Sequence, residues 1–228
     1  MSTPPTPLVP TRVWDLPTRL FHWLLVVGVV GLVITGNVGG NAMVWHARLG
    51  VGVGCLLVFR LLWGVVGGRW SRFASFVRSP AALLRYLRGA STPDEHVHVG
   101  HNPLGALSVL ALLTVLLVQV ATGLVSDDEI AFTGPLVAFV SGATSSLATS
   151  WHKGWGKLIL IGLVVLHVAA IAWYKRKGQN LVTPMITGDA THPADTPASA
   201  DGLAQRGLAL ALFLACAAGG AWVLAQGG

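Results

Sequence analysis

Charged positions fall along this chain in blocks, and long apolar runs separate them. No Asp, Glu, Lys or Arg occurs between Arg19 and Arg48, and residues 20–35 inside that gap are almost wholly apolar. Four further apolar runs follow at 46–68, 103–126, 155–174 and 207–225, the first of them carrying Arg48 near its start and interrupted further along by Arg60. Each is about 16–24 residues long, close to the length a helix rising ~1.5 Å per residue needs to cross ~30 Å of hydrocarbon. The pattern predicts an all-α integral membrane protein: a four-helix transmembrane bundle plus a fifth, C-terminal transmembrane helix. It divides into an N-terminal segment (1–19), a four-helix domain (20–186), a linker (187–206) and the fifth helix (207–228). Arg12 and Arg19 before the first run resemble a secretory leader, but no clear small-residue cleavage site follows, so a retained helix is expected.

The stretches between runs carry their own signals. Residues 75–89 (SFVRSPAALLRYLRG) mix Arg with Phe, Leu and Tyr and suit a short helix lying in the membrane interface. Residues 130–150 are apolar but broken by Gly134, Pro135 and Gly142, which suits a cap over one face. Residues 187–202 are rich in Thr, Pro, Ala and Asp and read as a flexible linker, with His192 solvated. Gly50, Gly52 and Gly54 lack the spacing of a phosphate-binding loop and lie within an apolar run. They read as a slim helix face that admits something bulky.

Composition sharpens this picture. Of 228 residues 53% are hydrophobic and 11% charged, less than half the roughly 25% charge of soluble domains, which excludes an ordinary soluble enzyme and a disordered chain. The net charge of +6 raises nucleic-acid binding, but the basic residues sort by side. Arg12, Arg19, Arg69, Arg72, Arg78, Arg85, Arg88, Lys175, Arg176, Lys177 and Arg206 fall on one side of the membrane. The other side has Arg48, Lys153 and Lys157 with the acidic trio Asp127, Asp128 and Glu129. The positive-inside rule then places the N-terminus in the cytoplasm and the C-terminus outside, and no nucleic acid is needed to explain the charge. Cys55 and Cys216 lie in apolar runs and read as small buried hydrophobes. No C-x-x-C-H occurs, so covalent haem attachment is not expected.

Candidate chemistry rests on histidine. Four of eight, His22, His46, His152 and His167, stand in or at the ends of the apolar runs, where ionisable residues are costly and usually functional. His152 and His167 are 15 residues apart, ~22 Å along a helix and about 60° apart in azimuth. His22 begins its run near the cytoplasmic side and His46 begins its run near the outer side. Depth matching therefore pairs His22 with His167 and His46 with His152, each pair supplying two axial ligands for one haem. Arg60, 14 residues after His46, lies ~21 Å deeper on nearly the same face. It reads either as a partner for a haem propionate or as a snorkelling side chain. A zinc site wants four ligands at one point, whereas these divide between two depths. A proton-coupled transporter would more often show intramembrane Asp or Glu, and these runs have none. His96, His98 and His101 cluster in a polar loop without an acidic or Cys partner, which argues against a metal there.

The run VWDLPTRLFHW (13–23) resembles the opening of the bacterial cytochrome b-561 family, which includes the b-type cytochrome subunit of nickel-iron hydrogenases. WHARLG at His46, FRLLWGVVGGRWSRF at Arg60, GHNPLGALSVLAL at His101, SWH at His152 and LHVAAIAWYKRKGQNLVTPMITG from His167 agree in order, over about residues 12–189. The resemblance implies a four-helix membrane cytochrome with two non-covalent b-type haems, ligated by His22 and His167 on the cytoplasmic side and by His46 and His152 on the outer side. It makes His101 a haem-edge or propionate neighbour. Arg19, inside the first matching run, joins Arg60 and His101 as candidate cofactor-binding residues. The fifth span departs from the four-helix core of the family.

The function this implies is single-electron transfer across the bilayer of a bacterial inner membrane, between the quinone pool and a redox partner. Bis-histidine ligation leaves no open iron position, which favours electron transfer at the haem edge over oxygen binding. Lys153 and the acidic trio are placed to steer a partner on the outer face. Alternatives are a relay and anchor subunit for a hydrogenase, a dehydrogenase or a c-type cytochrome, or superoxide oxidation coupled to ubiquinone reduction. A histidine-lined transporter without haem is the reading outside electron transfer.

Overall fold

The computed structural model describes residues 6–92, 99–130 and 132–227. A short strand β1 (Leu8–Arg12) leads into α1 (Leu16–Val38). Gly39 and Gly40, both at positive φ (68° and 53°) that costs glycine little, turn the chain into α2 (Ala42–Val66). Two short helices follow, α3 (Phe73–Phe76) and α4 (Pro80–Leu87), then α5 (Pro103–Leu124) and α6 (Gly142–Trp151). A π turn at His152–Gly156 joins α6 to α7 (Lys157–Arg176). The chain ends through α8 (Val182–Thr187), β2 (Asp189–Pro193) and α9 (Leu203–Gln226).

Among the described residues five stretches are long and apolar enough to cross a membrane: Leu16–Val38, Ala42–Val66, Pro103–Leu124, Gly142–Arg176 and Leu203–Gln226. They match the five predicted runs, and the protein is a multi-pass membrane protein. Large apolar side chains such as Val27, Val165, Leu210 and Trp222 stand outward on these helices, as lipid-facing positions require.

The fourth span differs from the sequence reading in two ways. The fourth span begins at Gly142, not near Trp155, because Ser141 caps α6 by accepting the Thr144 N–H at 3.2 Å. Hydropathy misses this turn because GATSSLATSW is small and polar. Within the span, Gly154 sits at φ −98°, ψ −111° and interrupts the helix. The azimuth computed for His152 and His167 on a continuous α-helix therefore does not apply, since a π turn adds residues without the usual rotation.

The chain forms two compact units, and each long helix contributes residues to both. The first comprises residues 1–20, 62–109 and 167–209. It is organised around Asp15, which is fully buried. Asp15 Oδ1 accepts from the Thr18 N–H (2.8 Å) and Trp63 Nε1 (3.1 Å). Its Oδ2 accepts from the Gly68 N–H (3.0 Å) and Ser71 Oγ (2.7 Å). One carboxylate thus caps α1 and fastens it to the end of α2. A core of Val13, Trp14, Trp70 and Val99 lies beside it, with Met185 and Ala190 packed on.

The segment expected to be a flexible linker is ordered. β2 pairs antiparallel with β1 from Leu8–Pro193 to Arg12–Asp189, placing His192 opposite Val9. Trp70 Nε1 donates to the Pro197 carbonyl (2.8 Å), and Ser199 Oγ donates to the Val13 carbonyl (2.7 Å). Arg12 bridges Asp189 (2.6 Å) and Asp201 (2.7 Å), and Arg206 reaches Asp201 at 3.2 Å. The hydrogen bond that Arg12 donates to Asp189 leads in raising the Arg12 guanidinium above its ordinary value. Composition suggested a linker because Thr, Pro, Ala and Asp are loop formers, but here their backbone groups are used in pairing.

The second unit comprises residues 21–61, 110–166 and 210–228. The slim faces sit mostly on α1: a Cβ at Gly28 or Gly31 would meet Val53 (2.7 Å) or Leu49 (2.9 Å) of α2. Of the glycines singled out in α2, Gly54 faces Val120 closely, whereas Gly52 meets nothing. Cys55 Sγ donates to the Cys216 carbonyl at 3.2 Å, and both thiols are free. After α5 the chain folds back through a bridge between Asp127 and Thr133, and Thr149 Oγ1 accepts the Asp127 N–H (3.0 Å).

Candidate functional site: a histidine pair at an apolar cavity

Within the second unit, His46 near the start of α2 and His152 at the π turn come together. Their ring centroids are 6.0 Å apart with planes at 87°. Two metal–nitrogen bonds of about 2 Å each, plus the ring radii, come to roughly the same separation. His46 Nδ1 lies 3.1 Å from the Leu32 carbonyl oxygen and His152 Nδ1 lies 2.8 Å from that of Gln119. A carbonyl only accepts, so each Nδ1 carries the proton and each Nε2 keeps its lone pair for a metal. Thr35 Oγ1 (3.3 Å) and Thr122 Oγ1 (3.4 Å) flank the same nitrogens.

Glycines make room for the rings. A Cβ at Gly36 would stand 2.9 Å from His46 Cε1, and one at Gly123 would stand 2.8 Å from His152 Cε1. Both histidines line a cavity of about 360 Å³, with Leu116 and Val120 on its apolar wall and Lys153 and Lys157 among its polar lining. That volume lies in the ordinary range for cofactor sites. The residues therefore fit a planar group held between two imidazoles. Among the described residues no three His, Cys, Asp or Glu side chains converge, as a zinc cage would need.

The other predicted residues are placed as follows. His22 belongs to the second unit, half-buried, with its ring edge-on to Trp23 at 5.0 Å. His167 belongs to the first unit and is also half-buried. Arg60 is buried at 3% exposure, so it is not a snorkelling side chain at the surface. Arg19 donates from Nη1 to the Ile186 carbonyl (2.7 Å) and lies 3.9 Å from Asp201. His101 packs between Trp14 and Phe76, each 4.7 Å away. His96 and His98 lie outside the described residues. Sequence reasoning missed Gly36, Gly123 and Gln119. Glycine spacing against a partner helix leaves no local signal, whereas Gln119, the single amide in α5, was a readable one.

A helical membrane bundle with paired imidazoles lining an apolar cavity, each with Nδ1 at a backbone carbonyl, fits a class, the membrane cytochromes that transfer electrons. The sequence model of the prokaryotic cytochrome b561 family matches residues 13–188, and the chain belongs to that family. It is 25% identical over 217 aligned positions to the Probable Ni/Fe-hydrogenase 1 B-type cytochrome subunit of Escherichia coli K12, covering 79% of this chain and 90% of that protein. The subunit of the same name from Escherichia coli O157:H7 matches equally. The cofactor of this membrane cytochrome is b-type haem.

Proposed function

We propose that this chain holds two b-type haems, one between His46 and His152 and one between His22 and His167, and passes single electrons between the quinone pool and a redox partner. The observation that carries this is the His46–His152 pair: two half-buried rings 6.0 Å apart, each with Nδ1 tied to a backbone carbonyl. Haem supplies a one-electron carrier at each position. The chain's own residues do the rest. The Leu32 and Gln119 carbonyls fix the ring tautomers and raise ligand basicity. Leu116 and Val120 keep water from the cavity wall, and Lys153 and Lys157 offer cations to the carboxylates that b haem carries. Arg60, buried on α2, is assigned to haem carboxylates as well, with Arg19 and His101 as further neighbours of the second haem.

The charge distribution supports the orientation expected for a bacterial inner membrane. Eleven of the fifteen Lys and Arg residues fall in the first unit, which also holds β1, β2 and α4. That unit is assigned to the cytoplasmic end, with the C-terminus outside. A relay role is favoured by the name of the relatives, a b-type cytochrome subunit of a hydrogenase: in that reading this chain would carry electrons between a peripheral hydrogenase and the membrane and catalyse nothing alone.

The experiment is haem stoichiometry by pyridine haemochrome on the purified chain, in wild type, His46→Ala and His167→Ala. Two b haems in wild type and about one in each variant are expected. No haem in folded wild type overturns the reading, and one haem in wild type removes whichever pair its variant leaves unaffected.

A further inference from the structure

Gln119 is an expensive residue in its position. It lies within an apolar helix, 8% exposed, and an amide buried there costs free energy unless its groups are used. Its side-chain Nε2 donates to the His152 carbonyl at 3.2 Å. Its own backbone carbonyl accepts the His152 Nδ1 proton at 2.8 Å. One residue of α5 thus grips His152 at both its ring and its main chain. The main-chain grip falls where it is needed, because the helix is interrupted two residues later at Gly154. The His152 N–H keeps its helical bond to the Ala148 carbonyl, so the Gln119 amide acts on the carbonyl side of this residue, where the chain departs from α geometry.

The surroundings are shaped to admit this amide. A Cβ at Gly156 would meet Gln119 Oε1 and also stand 2.6 Å from Trp151 Nε1. Oε1 and Trp151 Nε1 are both buried and find no hydrogen-bond partner among the described residues. The amide therefore keeps its donor on the His152 carbonyl while its acceptor stays unsatisfied. That is a costly arrangement for a residue that merely fills space, since a Leu or Met of similar volume would fit without an orphaned oxygen.

We propose that Gln119 is the positioning residue of the outer haem ligand: its side-chain amide holds the π turn so that the His152 ring presents Nε2 to the iron in one orientation. The inference rests on the reading of His46 and His152 as a ligand pair. It predicts an effect confined to one haem. The ring orientation of an axial histidine governs the low-spin resonance signature of its iron, and outer partners of metal ligands commonly alter affinity about 10- to 100-fold.

The test uses the purified full-length chain in detergent. Gln119→Met keeps the volume and removes the donor; Gly156→Ala leaves Gln119 in place and pushes its amide aside. Electron paramagnetic resonance and transfer of haem to excess apomyoglobin are measured on both. The expected result is a moved low-spin signal for one haem and its roughly 10- to 100-fold weaker retention, with the other haem unchanged, in both variants. Should Gln119→Met fail to accumulate, Gly156→Ala decides alone. Signals and retention identical to wild type, or both haems altered equally, overturn the proposal. If His152→Ala retains the full wild-type haem complement, the ligand reading itself falls and takes this inference with it. If His152→Ala loses one haem while the Gln119 and Gly156 variants behave as wild type, this inference alone is refuted.

Discussion

Asp15 accepts a 2.7 Å hydrogen bond from Ser71 Oγ across 56 residues of sequence, and both side chains are fully buried. The same carboxylate takes the Thr18 and Gly68 N–H groups and Trp63 Nε1, so four donors depend on one residue. Asp15→Ala is expected to destabilise the chain by about 3–5 kcal/mol, because each orphaned buried donor costs roughly 1–3 kcal/mol and entering water recovers part of it. Asp15→Asn keeps the shape but adds an N–H among donors, and should fall between. Thermal unfolding in detergent, compared across the three proteins, measures the ranking; an Ala variant as stable as wild type would refute the hub.

How much of this was legible beforehand differs by level. The five spans were readable because a membrane imposes length and apolarity on any helix that crosses it. The His46–His152 contact was readable because each histidine sat at the same end of its own span. The start of the fourth span at Gly142 was not, because hydropathy cannot see a capped helix made of small polar residues. The π turn was hidden too, since nothing in HKGWG distinguishes it from an α-helix containing glycines. The ordered 189–201 segment was missed for a different reason: its order comes from partners such as Trp70 and Arg12, far away in sequence. Local composition does not report such partners.

The glycines beside the histidines make a second prediction. Gly36 and Gly123 stand where a side chain would press on the His46 and His152 rings. Gly36→Val or Gly123→Val should weaken haem binding at this pair by about 1–3 kcal/mol, the usual cost of overpacking. The readout is the b-haem absorbance of the purified variants, with Gly142→Val as the control, because a Cβ at Gly142 meets nothing within 4 Å. Equal haem content in all three would mean that the rings do not need this space.

Asp201 makes a third prediction, in pH. Burial pushes its carboxyl up, but the hydrogen bond from Arg206, the Leu16 N–H and the charges of Arg206 and Arg12 outweigh burial and hold it below its ordinary value. The folded chain therefore gives up this proton more readily than the unfolded one. Its stabilisation is complete above the unfolded carboxyl's value of about 4 and disappears as pH falls through the lower folded value. Asp201→Asn should melt earlier than wild type at neutral pH, and the gap should close in acid. A gap that is constant with pH would assign the loss to packing and not to charge.

Tyr86 on α4 makes the last prediction, in alkali. Burial first, and then its hydrogen bond and electrostatic interaction with Tyr174, push the Tyr86 hydroxyl up to about 12. Tyr174 in turn accepts from Asn102 Nδ2 at 2.9 Å, and Asn102 Oδ1 accepts the Gly105 N–H at the start of α5. The two phenols therefore fasten α4 to the ends of α5 and α7. With the folded value raised, Tyr86 keeps its proton where the unfolded chain has lost it. Its contribution is intact below the ordinary tyrosine value of about 10 and is lost as pH rises toward about 12. Tyrosinate absorbance should show one of the two tyrosines ionising near 12 in the folded protein and moving toward 10 in Tyr174→Phe. Trypsin cleavage at Arg85 and Arg88 should accelerate in that variant as α4 loosens. If no tyrosine ionises near 12 while the fold is intact, α4 is held by its apolar side chains and not by the phenol pair.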